Sequence, residues 1–148
     1  MIRRILHLYW RFARGLTLGV RGMVFDRAGQ VLLVRHSYAA GWHFPGGGVE
    51  PGETLLGALA RELLEEGNVR LTGKPRLHGI FYNPGASQRD HVAIFVVREF
   101  AWDGPPRPSA EIREARFFPL DQLPEDATAG TRRRLEEILR DAPKGERW

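Results

Sequence analysis

The 148-residue sequence contains no cysteine. This absence excludes disulfide bonds, thiolate catalysis and cysteine-ligated zinc sites, and it fits the reducing cytoplasm, where we expect the protein to reside. No apolar run approaches the ~20 residues that a helix needs to cross a bilayer, so no transmembrane segment is predicted. The first residues, MIRRILHLYWRFARG, lack a small-residue cleavage site, which argues against a secretory signal.

Acidic residues are absent from the first 25 positions, which contain five arginines. The whole chain has a formal net charge of +4, so the basic character belongs to this segment. A helix over residues 2–14 is predicted to have one apolar side and one basic side; the apolar side comprises Ile2, Ile5, Leu6 and Tyr9.

We therefore predict a basic, helical segment over residues 1–15, followed by a single domain over residues 16–148. The favoured interpretation is that the segment packs on the domain or on a second subunit of a homodimer. Docking on an anionic membrane surface is the alternative.

A glycine-rich turn and a glutamate-rich helix occupy the stretch GGVEPGETLLGALARELLEEGNV, residues 47–69. On a helix, Glu62, Glu65 and Glu66 share one face because their spacing is i, i+3, i+4. Like charges this close repel each other and need a partner. Mg²⁺ is a suitable one, because it typically takes one or two carboxylates together with substrate phosphates. A solvated acidic face with Arg61 paired to Glu65 is the alternative interpretation.

The apolar residues of the same helix favour the metal site. At ~100° per residue they are predicted to form one half of its surface, which comprises Leu55, Leu56, Leu59, Ala60, Leu63 and Leu64. Glu62 and Glu66 fall at the rim of this half. A carboxylate at such a rim must find a cation or a hydrogen-bond donor.

The spacing of these residues matches a known pattern. The segment resembles the Nudix box, G-x5-E-x7-R-E-U-x-E-E-x-G-U, through Gly47, Glu53, Arg61-Glu62-Leu63, Glu65-Glu66 and Val69. The closing glycine of the pattern is Asn68 here; asparagine tolerates the left-handed backbone that ends such a helix, and Gly67 is the alternative residue for that conformation. The resemblance implies the Nudix fold, a mixed β-sheet sandwiched between α-helices, of the α/β (α+β) class.

The resemblance also implies an activity. Nudix enzymes hydrolyse nucleoside diphosphates linked to another group X, with a divalent cation that neutralises the phosphates and activates water. By resemblance, Glu62 and Glu66 bind Mg²⁺ directly, and Glu65 binds it directly or through water. The carbonyl of Gly46 is implied as a further ligand, and Mn²⁺ is expected to substitute for Mg²⁺.

Two further roles concern Glu53, Arg61 and the general base. Glu53 and Arg61 are implied to form an ion pair that orients the loop and the helix acids. The general base is left open between Glu65 and an acid near Glu111 and Glu114. A solvated loop edge is the favoured interpretation of the last two.

Contacts to the substrate are the least defined part of the prediction. Gly47 and Gly48 are expected to let the backbone approach a phosphate, and Arg35 is expected to reach one, with a surface role as its alternative. The aromatic residues that can stack on a base are Phe81, Tyr82, Trp42 and Trp102, each of which is equally compatible with the core. Pro84-Gly85 resembles the proline mark of ADP-ribose pyrophosphatases, but a simple turn is the favoured interpretation.

The sequence thus predicts a Mg²⁺-dependent pyrophosphohydrolase that acts on a small-molecule nucleotide, either a nucleoside triphosphate or a nucleoside diphosphate-X such as ADP-ribose. The alternatives are removal of diphosphate from RNA 5′ ends and a catalytically inactive nucleotide sensor. The basic segment is weak support for nucleic-acid binding, and no stable nucleic-acid complex is expected.

Hydrophobic periodicity predicts the order of the remaining elements. Strands are predicted at 16–25, 30–38, 69–71, 77–82, 91–100 and 115–119, with residues 92–97 central and buried. One helix is predicted to be capped by Thr54 and to run to about Glu66, and a second, over 128–141, to pack through Leu135, Ile138 and Leu139. Residues 41–48 are predicted as a loop. The histidines at 36, 43, 78 and 91 have no metal-ligand spacing, and most of them are interpreted as structural.

Overall fold

Residues 2–148, which the computed structural model describes, form three helices and nine strands. The helices are α1 (Ile2–Ala13), α2 (Leu55–Gly67) and α3 (Ala129–Leu139). The strands are β1 (Thr17–Val24), β2 (Val31–His36), β3 (Trp42–His43), β4 (Gly46–Gly48), β5 (Val69–Leu71), β6 (Arg76–Tyr82), β7 (Asp90–Val97), β8 (Phe100–Trp102) and β9 (Ile112–Phe118). The predicted fold class, α/β (α+β) with both helices and strands, is confirmed.

Four strands form the largest sheet, in the order β4-β1-β7-β6. β1 and β7 run parallel, whereas β4 and β6 are antiparallel to their neighbours. A second sheet has the order β3-β2-β9, and β5 pairs with β8. The central, buried position predicted for residues 92–97 is confirmed, because β7 has a partner on each side and these residues are all buried.

Side chains alternate between the two faces of each strand, and both faces are covered. One core contains Val20, Val24, Leu32, Val34, Ala93 and Phe95 together with Leu59 and Leu63 of α2. The other core contains Met23, Val31, Leu33, Ile94 and Val96 together with Phe81 of β6 and Leu135 of α3. The sheet therefore lies between α2 and α3, as the resemblance implies.

Several predicted boundaries need correction. The predicted loop 41–48 contains β3 and β4, which were missed because two or three residues give too little periodicity. The predicted strand 91–100 is divided into β7 and β8. Leu139, predicted to pack α3 on the domain, is exposed.

The helix α1 differs from the other two because none of its residues is buried. The expectation that this segment packs on the domain is therefore wrong. No helix among residues 2–148 has both the length and the apolar character required to span a membrane.

Candidate active site

Local sequence determines both ends of α2, the helix that carries the acidic residues. At its start, Thr54 Oγ1 accepts a hydrogen bond from the N–H of Gly57 at 3.0 Å, which is the predicted cap. At its end, Asn68 is left-handed with φ 56°, and its N–H donates to the carbonyls of Leu63 and Leu64. Asparagine therefore takes the conformation that the closing glycine of the pattern would supply.

The buried face of α2 is rotated from the predicted one. Leu59, Leu63 and Glu66 are buried, whereas Leu56 and Leu64 are exposed. The prediction treated every leucine as inward-facing, although exposed apolar side chains are common. Glu66 consequently lies within the buried face and not at its rim.

Arg61 holds the acidic side chains of the turn and the helix together. Its Nε and Nη2 donate to Glu53 Oε1 and Oε2 at 2.8 and 2.9 Å, and its Nη2 also donates to the carbonyl of Gly48 at 3.1 Å. Its Nη1 donates to Glu62 Oε1 at 2.6 Å and lies 3.6 Å from Glu65 Oε2. The expected pair of Arg61 and Glu53 is thus present, in the bidentate geometry that makes such contacts strong.

These contacts change the pKa of Glu53. Hydrogen bonds from Arg61, and then from the N–H of Glu50, lower it to about 2. Glu53 and Glu62 in turn raise the pKa of Arg61. The pair is therefore fully charged at neutral pH.

Glu62 lies directly against Gly47. A Cβ built on Gly47 would stand 2.5 Å from Glu62 Oε1, so only glycine leaves room for the carboxylate in this position. Burial is the largest cause of a raised Glu62 pKa; Arg61 opposes it, and the charges of Glu66 and Glu65 add to it. Removing this carboxylate from water is unfavourable, and Arg61 is the cation that compensates for it. A second cation nearby would therefore stabilise the charged form of Glu62.

Glu66 is buried between two polar groups from distant parts of the chain. Its Oε2 accepts a hydrogen bond from the N–H of Gly46 at 2.9 Å, and its Oε1 lies 3.0 Å from His36 Nε2. His36 is also buried. His36, which was not predicted to belong to the site, therefore contacts Glu66, one of the predicted metal ligands.

The backbone of Gly46 and Gly47 brings β4 to this acidic face. Gly46 has φ 151°, and a Cβ there would stand 2.0 Å from the carbonyl oxygen of Val20, so another residue is excluded by packing on β1. The carbonyl of Gly46, the predicted ligand, accepts a hydrogen bond from Arg21 Nη1 at 2.8 Å. At Gly48 a Cβ would meet no protein atom within 4 Å, so packing within the chain does not require glycine there.

Glu65, Glu111 and Glu114 are exposed, which agrees with the solvated position favoured for Glu111 and Glu114. The Glu65 side chain is 58% exposed and lies on the same helix as Glu62 and Glu66. Glu114 is 4.0 Å from Arg116. Of these three acids, only Glu65 lies on α2 beside Glu62 and Glu66.

Arg35 is not part of this arrangement. Its side chain lies 4.0 Å from Asp126 and over the ring of Trp42. Arg35 alternates along β2 with Leu33, which is buried in the second core, so it points to the face that carries Trp42. Arg35 therefore lies on the face away from α2.

The predicted stacking residues are largely structural. Phe81 and Trp42 are buried in the second core, and Arg134 covers the Phe81 ring at 3.8 Å. Tyr82 packs against His91 and Arg147. Trp102 donates from Nε1 to the carbonyl of Gly67 at 2.9 Å.

Three residues near the acids were not predicted from sequence. Arg21 interrupts an otherwise apolar strand, a signal that could have identified it. Tyr38 is exposed, and its ring lies 4.9 Å from that of His36. His36 follows the apolar run of β2, but its partner Glu66 is thirty residues away and no local pattern indicates it.

The acidic face is suited to a divalent cation shared with a ligand. Among residues 2–148, no three His, Asp or Glu side chains converge as a preformed metal cluster. Mg²⁺ does not require one, because it usually keeps several waters and takes one or two carboxylates together with phosphate oxygens. The desolvated Glu62 against Gly47 and the neighbouring Glu66 supply such a pair.

Comparison with known proteins agrees with this arrangement. The profile of the family described as NUDIX domain matches residues 15–138. Diphosphoinositol polyphosphate phosphohydrolase 2 of Rattus norvegicus is 45% identical over 80 residues, which cover 53% of this chain and 44% of that protein. The chain thus matches less than half the length of this relative.

Solved structures extend the similarity over most of the chain. A MutT protein from Methanosarcina mazei Go1 has a TM-score of 0.73 and 25% identity, covering 87% of this chain and 96% of that one. A MutT protein from Bacillus halodurans has a TM-score of 0.69 and 26% identity, with coverages of 89% and 85%.

Proposed function

The chain belongs to the Nudix hydrolase family, and from this we propose that it is a Mg²⁺-dependent pyrophosphohydrolase that cleaves the diphosphate linkage of a small nucleotide. The observation that carries the proposal is the set of contacts around α2. Arg61 clamps Glu53 and Glu62, Gly47 leaves room for Glu62, and Glu66 holds the N–H of Gly46.

Each of these residues has a role that follows from its contacts. Glu62 and Glu66, with the carbonyl of Gly46, would hold the cation, which neutralises the phosphates and lowers the pKa of a bound water. Glu53 fixes Arg61, and Arg61 fixes the rotamer of Glu62. Positioning of this kind before the reaction avoids a reorganisation cost during it.

Glu65 is the proposed general base. Its carboxylate is mostly exposed, it lies on the same helical face as Glu62 and Glu66, and Arg61 approaches it only to 3.6 Å. Its exposure leaves the carboxylate accessible to a water molecule. Arg21, which already donates to Gly46, is proposed to contact a phosphate oxygen, the task to which a guanidinium is well suited.

Two substrate classes are proposed. The first is a nucleoside triphosphate or a nucleoside diphosphate-X such as ADP-ribose, for which the exposed Tyr38 beside His36 offers an aromatic surface to the base. The second, a candidate in place of a nucleotide, is a diphosphorylated inositol polyphosphate. It is supported by the relative that is 45% identical over 80 residues.

A Glu66→Gln substitution tests the site. It removes a ligand charge but keeps the shape, so turnover should fall by a factor on the order of 10²–10⁴. The matched control is Glu136→Gln on the exposed part of α3, which should behave like the parent. Full activity in folded Glu66→Gln protein would refute the site.

A substrate panel tests the reaction. Phosphate release should be measured with a deoxynucleoside triphosphate, ADP-ribose, a diphosphoinositol polyphosphate, 5′-triphosphorylated RNA and p-nitrophenyl phosphate, each with Mg²⁺, with Mn²⁺ and without metal. We expect diphosphate-containing substrates to be cleaved only with metal. Metal-independent cleavage, or a preference for the monoester, would contradict the proposal, and exclusive activity on RNA would favour the alternative substrate.

A further inference from the structure

The surface of α1 is divided sharply between apolar and basic residues. At ~100° per residue, an arc of about 200° is apolar and contains Leu8, Phe12, Ile5, Tyr9, Ile2, Ala13, Leu6 and Trp10. The rest of the circumference carries the basic residues, which span an arc of about 100° and comprise Arg3, His7, Arg11 and Arg4. No acidic residue occurs in the helix.

The apolar face is not covered by the domain. No residue of α1, all of which lies within the described part of the chain, is buried, and Ile2, Tyr9 and Phe12 are 75%, 65% and 72% exposed. The helix is held at its end only, where Arg89 Nη1 donates to the carbonyls of Phe12 and Gly15. An exposed apolar surface of this kind marks an interaction site.

The charges of α1 indicate which partner covers it. Arg4 borders the apolar arc beside Leu8, and Arg3 borders it beside Trp10. Long arginine side chains at such borders can extend to headgroup phosphates while their stems stay on apolar surface, and tryptophan and tyrosine favour the same interfacial depth. A strongly basic polar face opposite an aromatic and aliphatic one is typical of helices that lie in a membrane interface.

A second copy of α1 fits this surface less well. A helix packed on one neighbour buries a stripe of about 100°, about half of the apolar arc found here. A fluid lipid surface, by contrast, can cover the whole arc.

We propose that α1 docks the protein on an anionic lipid bilayer surface, with its apolar arc in the headgroup region and its arginines on lipid phosphates. The domain stays outside the bilayer, tethered through Gly15 and Arg89. The proposal is independent of the catalytic assignment, because α1 contains none of the predicted site residues.

Vesicle co-sedimentation of the full chain tests the proposal. Vesicles of phosphatidylcholine containing about a third phosphatidylglycerol should bind the protein, and vesicles of phosphatidylcholine alone should not. Binding should weaken when salt is raised from about 0.1 M to about 1 M, because the Debye length shortens from about 10 Å to about 3 Å.

Two variants of α1 and one control make the test specific. Ile5→Asp with Phe12→Asp disrupts the apolar arc, and Arg4→Glu with Arg11→Glu reverses the basic one. Each should lower the partition coefficient by about tenfold or more. The control, Arg27→Glu with Arg107→Glu, makes the same charge change at exposed positions of the domain and should bind like the parent.

Three results would overturn the proposal. The first is no binding to the anionic vesicles. The second is binding that the α1 variants leave unchanged, which would assign it to another surface. The third is a dimer in vesicle-free buffer, measured by sedimentation velocity, that the Ile5→Asp, Phe12→Asp variant dissociates, because a second copy would then cover the helix.

Discussion

At the scale of single residues, one guanidinium organises most of the candidate site. Arg61 contacts Glu53, Glu62 and Glu65 and the carbonyl of Gly48. Glu53 and Glu62 raise its pKa further above neutrality, so it stays charged in acidic and neutral solution. Loss of charge in this cluster must therefore come from the carboxylates.

Glu53 gives a pH-dependent prediction. Its pKa is about 2 in the folded protein, below its ordinary value of 4.5, so its contribution to stability is fully present above about pH 4.5 and is lost as the pH falls toward about 2. Glu53→Gln lacks this contribution. The difference in free energy of unfolding between parent and variant, measured by urea titration, should therefore shrink over that range.

The control for this measurement is Glu125→Gln, which changes an exposed carboxylate on a loop. Its difference from the parent should stay smaller than that of Glu53→Gln at neutral pH. A Glu53→Gln difference that is constant from about pH 5 to about pH 2 would contradict the assigned cause.

His36 gives a second residue-scale prediction, as a positioning residue for Glu66. His36→Phe keeps a ring but leaves Glu66 Oε1 without its buried partner, so the free energy of unfolding should fall by about 1–3 kcal/mol. The fall in kcat should exceed any change in KM, because the altered group holds an acid of the site. In a Glu66→Gln background, His36→Phe should lower the free energy of unfolding by less. An equal decrease in both backgrounds would show that the two residues are not coupled.

At the scale of elements, the site depends on how closely α2 approaches β4. Gly47 and Gly48 are consecutive, yet a Cβ on Gly47 would stand 2.5 Å from Glu62 Oε1, whereas one on Gly48 would meet nothing within 4 Å. These two glycines therefore form a matched pair for testing the approach.

Gly47→Ala should displace the Glu62 carboxylate while the fold remains, because the group in the way is the mobile end of a side chain. A misplacement of about 1 Å can cost about 10²-fold in rate, so kcat should fall by that order. Gly48→Ala should retain the parent's kcat. Steady-state kinetics and thermal melts check both, and equal activities in the two variants would mean that Glu62 has no positional role.

The same two elements show what the sequence predicts and what it does not. The ends of α2 were predictable because Thr54 and Asn68 act on their own helix, through contacts within a few residues. The buried face was predicted with the wrong centre, since Leu64 is exposed and Glu66 is buried. The partners that permit burial of Glu66 come from β2 and β4, which no local pattern relates to α2.

The aromatic residues show the same limit. Phe81 and Tyr82 are neighbours in sequence and were equivalent as stacking candidates. Alternation on β6 sends Phe81 into the second core, where Arg134 of α3 covers it, and leaves Tyr82 against Arg147. These contacts depend on the packing of α3 and the residues after it, so the sequence of β6 alone cannot distinguish the two roles.

At the scale of the whole molecule, the basic and the catalytic parts of the chain are separate. The two cores lie on opposite faces of the sheet and include residues of α2 and α3 but none of α1. The domain therefore has its full core without α1. This separation makes the stability of the domain and the surface behaviour of α1 independently measurable.

Deletion of residues 1–14 tests the separation. Because no residue of α1 is buried, the deletion should leave the melting temperature of the domain within about 2 °C of the parent, and it should leave turnover of soluble substrates unchanged. The contrasting variant is Leu59→Ala, which truncates a fully buried side chain of α2. It should lower the free energy of unfolding by about 2–5 kcal/mol. That loss corresponds to several degrees for a domain of this size. Thermal melts and phosphate-release assays on the parent, the deletion and Leu59→Ala test this prediction. If the deletion lowers the melting temperature as far as Leu59→Ala does, α1 is part of the packed domain. Its apolar arc would then not be available to a membrane.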